Sequence, residues 1–568
     1  MGLASALYTG LTGLNANGQS ISVIGNNISN SNTTGFKSSR VDFETQISTL
    51  LRAGSAPNGS SGGTNPAQIG LGVGADAVSR DFSTGSITPT GRNTDLAIEG
   101  NGFFVVSNNG LARYTRAGNF KLDQGFNLVN DGGAVVQGYG VDADFNIVDN
   151  LVTGVRIPLG NLTLSVPTSA VRMGGNLNAG GQTATVGSLL QSNTLYSDSA
   201  ATTLATATTA LSSVYTAVGT PAFANGDVIT TTGITKGGAS LPKHTFQVGA
   251  ANTTASDANG TTIQDFLNFL GNTMGIDTTN GGALAVTSGQ ISVTGNSGTV
   301  NDLDISTGDL VVNLGGTGTQ PLSFTKARAA DGESVRTQFV TYDSLGQAQT
   351  VDLSVVLESK ADTGTTWRFY AQSDDDTDLS RILGNGTLNF DTTGRFKSST
   401  GETFNLDHTA TGAVTPQSIK LDFDQPTGTF TALADTSSRI AAFSQDGASI
   451  GTLQDFSIDS DGVIVGTFSN SLQRNLGRVA LATFVNPQGL EETGSNQYRT
   501  TSNSGLASVV KPQSGGAGRI IGGALEGSNV DLSREFINLI NASTGYSANS
   551  RVLNTADRLI QDLLQSIR

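Results

Sequence analysis

The chain of 568 residues contains no cysteine, which excludes disulfides, thiolate metal sites, cysteine nucleophiles and iron–sulfur ligation. Histidine is almost as scarce. His244 and His408 are the only two, leaving little for a histidine metal cluster or a catalytic triad. Lysine and arginine number 31 against 46 aspartates and glutamates, a net charge of −15. With no basic block, this is a poor frame for binding phosphate backbones. Only 12 prolines accompany 73 glycines and no Gly-X-Y period exists, so the glycine excess is not collagen. Hydrophobic residues at 36% and aromatics at 6% are lean for a large core but too many for wholesale disorder. No run approaches the ~20 apolar residues of a membrane span. The segment Met1-Gly2-Leu3-Ala4-Ser5-Ala6-Leu7 lacks the basic and apolar regions of a secretory signal. The expectation is a cytosolic protein, or one leaving by a route that reads no ordinary signal peptide.

What is present divides the chain into helical ends and a β middle. Leu3, Leu7, Leu14, Ile21, Ile24 and Ile28 fall at heptad-like spacings, with Leu11 beside the stripe. A second, wider stripe runs through Phe536, Leu539, Ile540, Val552, Leu553, Ala556, Leu559, Ile560, Leu563, Leu564 and Ile567. Asp531 and Glu535 near its start and Arg551, Arg558 and Arg568 toward its end suit the helix dipole. A helix over about 531–566 would be ~54 Å long, beyond ordinary packing in a small domain. The N-terminal stripe contains Gly10, Gly13, Gly18 and Gly25, each costing roughly 1 kcal/mol against alanine in a helix. Such a helix needs a partner. Two readings stay open here: a helical hairpin capping a domain, or termini that order only against neighbouring copies.

Between the helices, short apolar strands alternate with an Asp-x-x-Gly turn frame: Asp343…Gly346, Asp391…Gly394 and Asp459…Gly462. Aspartate caps the turn and glycine supplies the positive φ. Asp123-Gln124-Gly125 reads as the same turn one residue short. The stretch 181–320 stands apart: Ala, Gly, Ser, Thr and Asn make up 86 of its residues, and it has no glutamate or arginine. We expect an ordered, lightly cored inserted module there, with amphipathic islands such as Ile263–Leu270. A Gly, Ser, Asn and Pro-rich linker is expected over Ala53–Gly74.

Chemical motifs are scarce. There is no phosphate-binding Gly-x-x-x-x-Gly-Lys, no Gly-x-Ser-x-Gly and no His-Glu-x-x-His. Asp459-x-Asp461-Gly462 lacks the rest of a calcium loop and reads as a hairpin. The acidic run Asp374-Asp375-Asp376 with Asp378 reads as a solvated loop, and Trp367 reads as core or interface. No catalytic, metal-ligating or cofactor-binding residue is assigned, and no cofactor is expected.

The ends carry a family signal. Gly25-Asn26-Asn27-Ile28-Ser29-Asn30-Ser31-Asn32-Thr33-Thr34-Gly35-Phe36-Lys37 resembles the signature of bacterial flagellar rod and hook proteins, with Asn27, Ile28, Asn30, Thr33, Gly35, Phe36 and Lys37 as its matching positions. Glu526–Ser533, Tyr546–Ser550 and Thr555-Ala556-Asp557 are similar to that family's closing helix. Asp95–Val105 and Tyr114–Phe120 are similar to its inner β-domain. The large middle and Phe339–Gly346 point to the hook members, as do Asn486–Glu491 and Gly515–Gly518.

The resemblance implies an α+β, mainly β fold: long terminal helices pairing as a coiled-coil-like inner domain, with nested antiparallel β-domains between them. It implies a terminal helical domain (1–30 and 530–568), connecting segments (31–75 and 505–529), an inner β-domain (76–157 and 440–504), an outer β-domain (158–180 and 321–439) and the inserted module (181–320). It further implies a non-enzymatic structural subunit, exported by the flagellar type III apparatus, that polymerises into a curved hollow tube. That tube would be a universal joint between rod and filament. The implied partners are copies of itself, a distal rod protein, a hook cap protein and a hook–filament junction protein, with neither nucleic acid nor membrane insertion. The assembly seam would be Leu3, Leu7, Leu14, Ile21, Ile24 and Ile28 with Val552, Ala556, Ile560, Leu563 and Ile567. A shorter rod or junction relative and a Thr/Gly-rich adhesin are the competing readings. The first lacks the outer-domain motifs, and the second needs a secretory signal.

Overall fold

The computed structural model describes residues 2–314, 317–424, 430–434 and 437–566. Among the described residues the fold is mainly β with long terminal helices, α1 (Gly2–Ser29) and α3 (Leu532–Ser566), and one internal α-helix, α2 (Ile263–Met274). The chain forms two compact units, one of residues 1–163 with 452–568 and the other of residues 164–451.

The first unit is built from both ends of the chain. Its sheet places neighbouring strands in the order Val463–Phe468, Gln473–Val479, Val135–Val141, Phe103–Asn108 and Leu111–Thr115. The flanks therefore interleave: Tyr139 pairs Arg478, and Gly138 pairs Val479. Two further ladders do the same, joining Ile98 to Ile520 and Thr88 to Leu525. Phe103, Tyr114 and Tyr498 form one of its cores, with Phe82 and Phe484 packed edge to face on it. At the start of α3, the Asp531 carboxylate accepts hydrogen bonds from the Ser533 and Arg534 amides at 3.0 and 3.2 Å. This caps amides that a helix cannot satisfy itself.

The second unit contains a five-stranded antiparallel meander over Ser334–Tyr342, Ala348–Ala361, Gly364–Ser373, Ile382–Phe390 and Phe396–Thr400. Alternation sends Leu353, Val355, Trp367, Phe369 and Leu388 into one core, settling Trp367 as a core residue. Pairing is not antiparallel throughout, since Ala170–Asn176 runs parallel to Gln417–Asp422.

The expectation of a lightly cored module is corrected by the structure. Residues within 181–331 bury their own cluster, including Phe223, Phe246, Phe266, Phe269 and Val312. The small polar residues fill turns and surface, while the sparse apolar islands converge on α2. That helix starts with a reciprocal capping box between Thr262 and Asp265 and ends on Gly275 at φ 61°.

The Asp-x-x-Gly turns form as read. Asp343, Asp391 and Asp459 each accept amide hydrogen bonds from residues two and four positions on, and the glycine follows at positive φ. The Asp123 turn is not short. Phe126, at φ 64°, occupies the glycine position, and the Asn127 amide reaches the Asp123 carboxylate at 2.8 Å.

Candidate assembly interface

α1 and α3 pack antiparallel, and small residues bring them close. Both helices carry Gly-x-x-x-Asn: Gly13 with Asn17, and Gly545 with Asn549. Each asparagine donates to the carbonyl of its own glycine one turn back, at 2.7 Å for Asn17 and 3.0 Å for Asn549. Each also lies over the other helix's glycine. A Cβ on Gly13 would stand 2.7 Å from the Asn549 amide group, and one on Gly545 would stand 2.9 Å from Asn17. At these two positions glycine lets the asparagine of the other helix lie directly on the backbone, and any side chain would have to displace that amide group. Gly10 lies against Asn549 and Val552 and Gly18 near Tyr546, so three of the four glycines that weaken α1 as an isolated helix, Gly10, Gly13 and Gly18, lie at its contact with α3.

The apolar stripes distribute around this contact. On α1, Ile24 is buried, while Leu7, Leu14, Ile21 and Ile28 are half-buried; the Leu3 side chain lies outside the described residues. On α3, Ala556 is buried, Ile560 is half-buried, and Val552 and Leu563 are exposed; Ile567 lies outside the described residues. Phe536, Ile537, Ile540, Leu559 and Leu564 are also exposed, Ile540 by 65% and Leu564 by 62%. α3 thus presents two groups of exposed apolar residues, Phe536, Ile537 and Ile540 near its start and Leu559, Leu563 and Leu564 near its end, that α1 does not cover.

The signature after α1 forms a stitch to the C-terminal arm. Asn27 is buried; its amide donates to the Ser39 carbonyl at 2.7 Å and to Glu535 at 3.3 Å, and its oxygen accepts from the Ser39 amide at 3.0 Å. Thr33 donates to Asn30 at 3.1 Å, closing the turn. Gly35, at φ 66°, passes so close to Ala117 that a Cβ would stand 2.5 Å from its backbone nitrogen. The buried Phe36 leads to Lys37, whose ammonium lies 2.5 Å from Glu526 and 2.6 Å from the Ser83 carbonyl. Glu526 also accepts from Arg116 at 3.3 Å and from the Gly85 amide at 3.0 Å. Burial pushes the Lys37 and Arg116 cations below their ordinary pKa values, and the Glu526 charge opposes that fall. Hydrophobic periodicity does not pick out Glu526, Arg116, Asn17 or Asn549. The Gly-x-x-x-Asn pattern repeated at both ends is the readable signal for two of them.

Among the described residues, no group of three His, Cys, Asp or Glu residues could hold a metal ion, and no helix is long and apolar enough to cross a membrane.

Four family models match the chain. They are described as flagella basal body rod protein (residues 7–37), flagellar hook protein FlgE/F/G D1 domain (97–173), flagellar basal body protein FlaE D2 domain (313–448) and flagellar basal body rod FlgEFG protein C-terminal (521–566). The flagellar hook protein FlgE of Borreliella burgdorferi is 27% identical, with 99% of each chain covered. That of Treponema pallidum is 29% identical, with 98% of each covered. The chain belongs to the flagellar hook protein family. A crystal structure of Helicobacter pylori flagellar hook protein FlgE2 has 18% identity and a TM-score of 0.39, covering 77% of this chain and 100% of that one.

Membership makes the chain a structural subunit of the flagellar hook in the basal body, in a family of structural proteins not known as enzymes. The matched N-terminal segment ends on Lys37 and the C-terminal one contains Glu526, so the two family segments meet at the buried ion pair.

Proposed function

We propose that this hook subunit polymerises through its terminal helices into a curved hollow tube that transmits torque from rod to filament as a universal joint and conducts exported subunits. The observation that carries this reading is the set of exposed apolar residues of α3, Ile537 and Ile540 toward one end and Leu563 and Leu564 toward the other. An amphipathic helix gains stability by burying such residues, and copies of the same chain supply the matching helices. The seam is Leu3, Leu7, Leu14, Ile21, Ile24 and Ile28 on one side, with Val552, Ala556, Ile560, Leu563 and Ile567 on the other. Head-to-tail contacts that do not close generate an open helical assembly.

In this reading the terminal helices line the channel. The other partners are the type III export apparatus, the distal rod protein, the hook cap and the hook–filament junction protein. Ile540→Asp tests the assembly contact, because the side chain is already mostly exposed and the charge leaves the subunit's own core intact. The expected result is a folded monomer with unchanged circular dichroism and no tubes by electron microscopy. Normal tubes from this variant would overturn the reading.

A further inference from the structure

Unit 164–451 contains a charged internal space whose polar groups the chain does not satisfy by itself. It lies where the inserted module meets the antiparallel meander, is lined by Lys236, Asn301, Arg336, Asp352, Ser354, Gln372 and Arg381, and has a volume of about 10 Å³. Asp352 faces Gln372 across one ladder and Arg336 faces Ser354 across the next. Their places are fixed by bonds outside the space. Lys236 donates to the Met274 and Gly275 carbonyls at 3.2 and 3.0 Å, at the partially negative end of α2. One Asp352 oxygen accepts from Arg336 at 2.5 Å and from Arg381 at 3.3 Å. The Asn301 amide nitrogen donates to the Ser297 carbonyl at 2.9 Å.

Four atoms lining the space remain without a protein partner among the described residues: Asn301 Oδ1 and Asp352 Oδ1, both acceptors, and Gln372 Nε2 and Arg381 Nε, both donors; Arg381 Nη1 makes no hydrogen bond either but is ion-paired with Asp374 at 2.5 Å. The Ser354 hydroxyl is a fifth. All five residues are at least nine-tenths buried. Two orphan acceptors with two orphan donors are the complement of one water molecule, which donates twice and accepts twice. The volume agrees, since about one probe sphere is what a single water needs. A chloride ion would face two orphan acceptors and is too large; a metal ion would face an arginine and a lysine.

We propose that this space is a built site for one tightly held water that joins the inserted module, through Asn301, to the meander, through Asp352, Gln372 and Arg381. The water donates to Asn301 Oδ1 and Asp352 Oδ1 and accepts from Gln372 Nε2 and Arg381 Nε, which fills its four bonds and leaves the Ser354 hydroxyl outside them. The joint between module and sheet is then hydrated by design rather than a dry ion cluster.

A crystallographic map of the full chain tests this directly. A peak with the scattering of one oxygen, within hydrogen-bond distance of Gln372 Nε2 and Asp352 Oδ1, is expected. Absence of a peak, or one that gains anomalous signal on bromide soaking, would overturn the proposal. Gln372→Met keeps side-chain length and removes the donor, so it also distinguishes the two cases. A held water predicts a lower urea midpoint for this unit, because the water loses a bond. An unchanged or raised midpoint, the outcome of deleting an unmet donor from a dry space, would count against it.

Discussion

Lys37 shows how one side chain can tie the two ends of the chain together. Its ammonium and the Glu526 carboxylate are fully buried, so removing either charge strands the other. Breaking a buried pair typically costs about 3–5 kcal/mol. Here Arg116 and the Gly85 amide still serve Glu526, which places Lys37→Met near the low end, about 3 kcal/mol by equilibrium unfolding of the first unit. Asp376 and Asp407 act in opposite directions with pH. Burial, helped by the nearby Asp378 charge, raises Asp376 to about 6 from 3.8. The hydroxyls of Thr409 and Thr415 lower Asp407 to about 2. Between pH 4 and 6 the folded chain holds a proton on Asp376 that the unfolded chain has released, so this group's stabilising effect is lost as pH rises through that window. Asp407 instead contributes above its unfolded value and loses that contribution as pH falls toward 2. Asp376→Asn should therefore raise the unfolding midpoint of the second unit at pH 7 and leave it unchanged near pH 3.5. A urea series at the two pH values reads both.

At the scale of elements, the glycines of α1 separate into two kinds. A Cβ on Gly25 would meet nothing within 4 Å among the described residues, so Gly25→Ala should return the usual helix gain of about 1 kcal/mol. Gly13→Leu places its side chain into Asn549 and should separate α1 from α3 despite leucine's better propensity, read as lost helical circular dichroism at 222 nm, the wavelength at which helix content is measured. Periodicity made α1 and α3 legible in the sequence because leucine and isoleucine mark a helix face. It could not show that the closest approach runs through Gly13, Asn17, Gly545 and Asn549, since small and polar residues carry no hydrophobic signal. The Asp343, Asp391 and Asp459 turns were legible because aspartate and glycine have fixed roles in them. The Asp123 turn was obscured by Phe126 standing at a positive φ that glycine usually takes. Composition hid the module's core for a related reason: averages over 181–320 are dominated by surface and turn residues, while a few phenylalanines meeting in space decide the packing.

For the whole molecule, stability is divided unevenly. The β-rich parts bury large side chains in their own clusters, and their ladders close over long sequence separations. Of the large apolar residues of α1 and α3, Ile24 alone is buried among the described residues, and α3 leaves Phe536, Ile537, Ile540, Leu563 and Leu564 exposed. Burial of apolar area is what holds most helices in water, at roughly 25 cal/mol per Å². The helix pair should thus be the first part of an isolated subunit to open, and neighbouring copies should close it by covering Ile537, Ile540, Leu563 and Leu564. Amide hydrogen exchange on dilute monomer is expected to be fast over 2–29 and 532–566 and slow in the strands Phe103–Asn108 and Gly364–Ser373. In assembled tubes the helices should become as protected as the strands, because their opening would then require leaving the neighbours. The Ile540→Asp monomer should keep the fast pattern at every concentration, whereas the parent chain should lose it as tubes form. Helices already protected in dilute parent monomer would mean that the α1–α3 contact alone holds them, and that assembly adds nothing to their order.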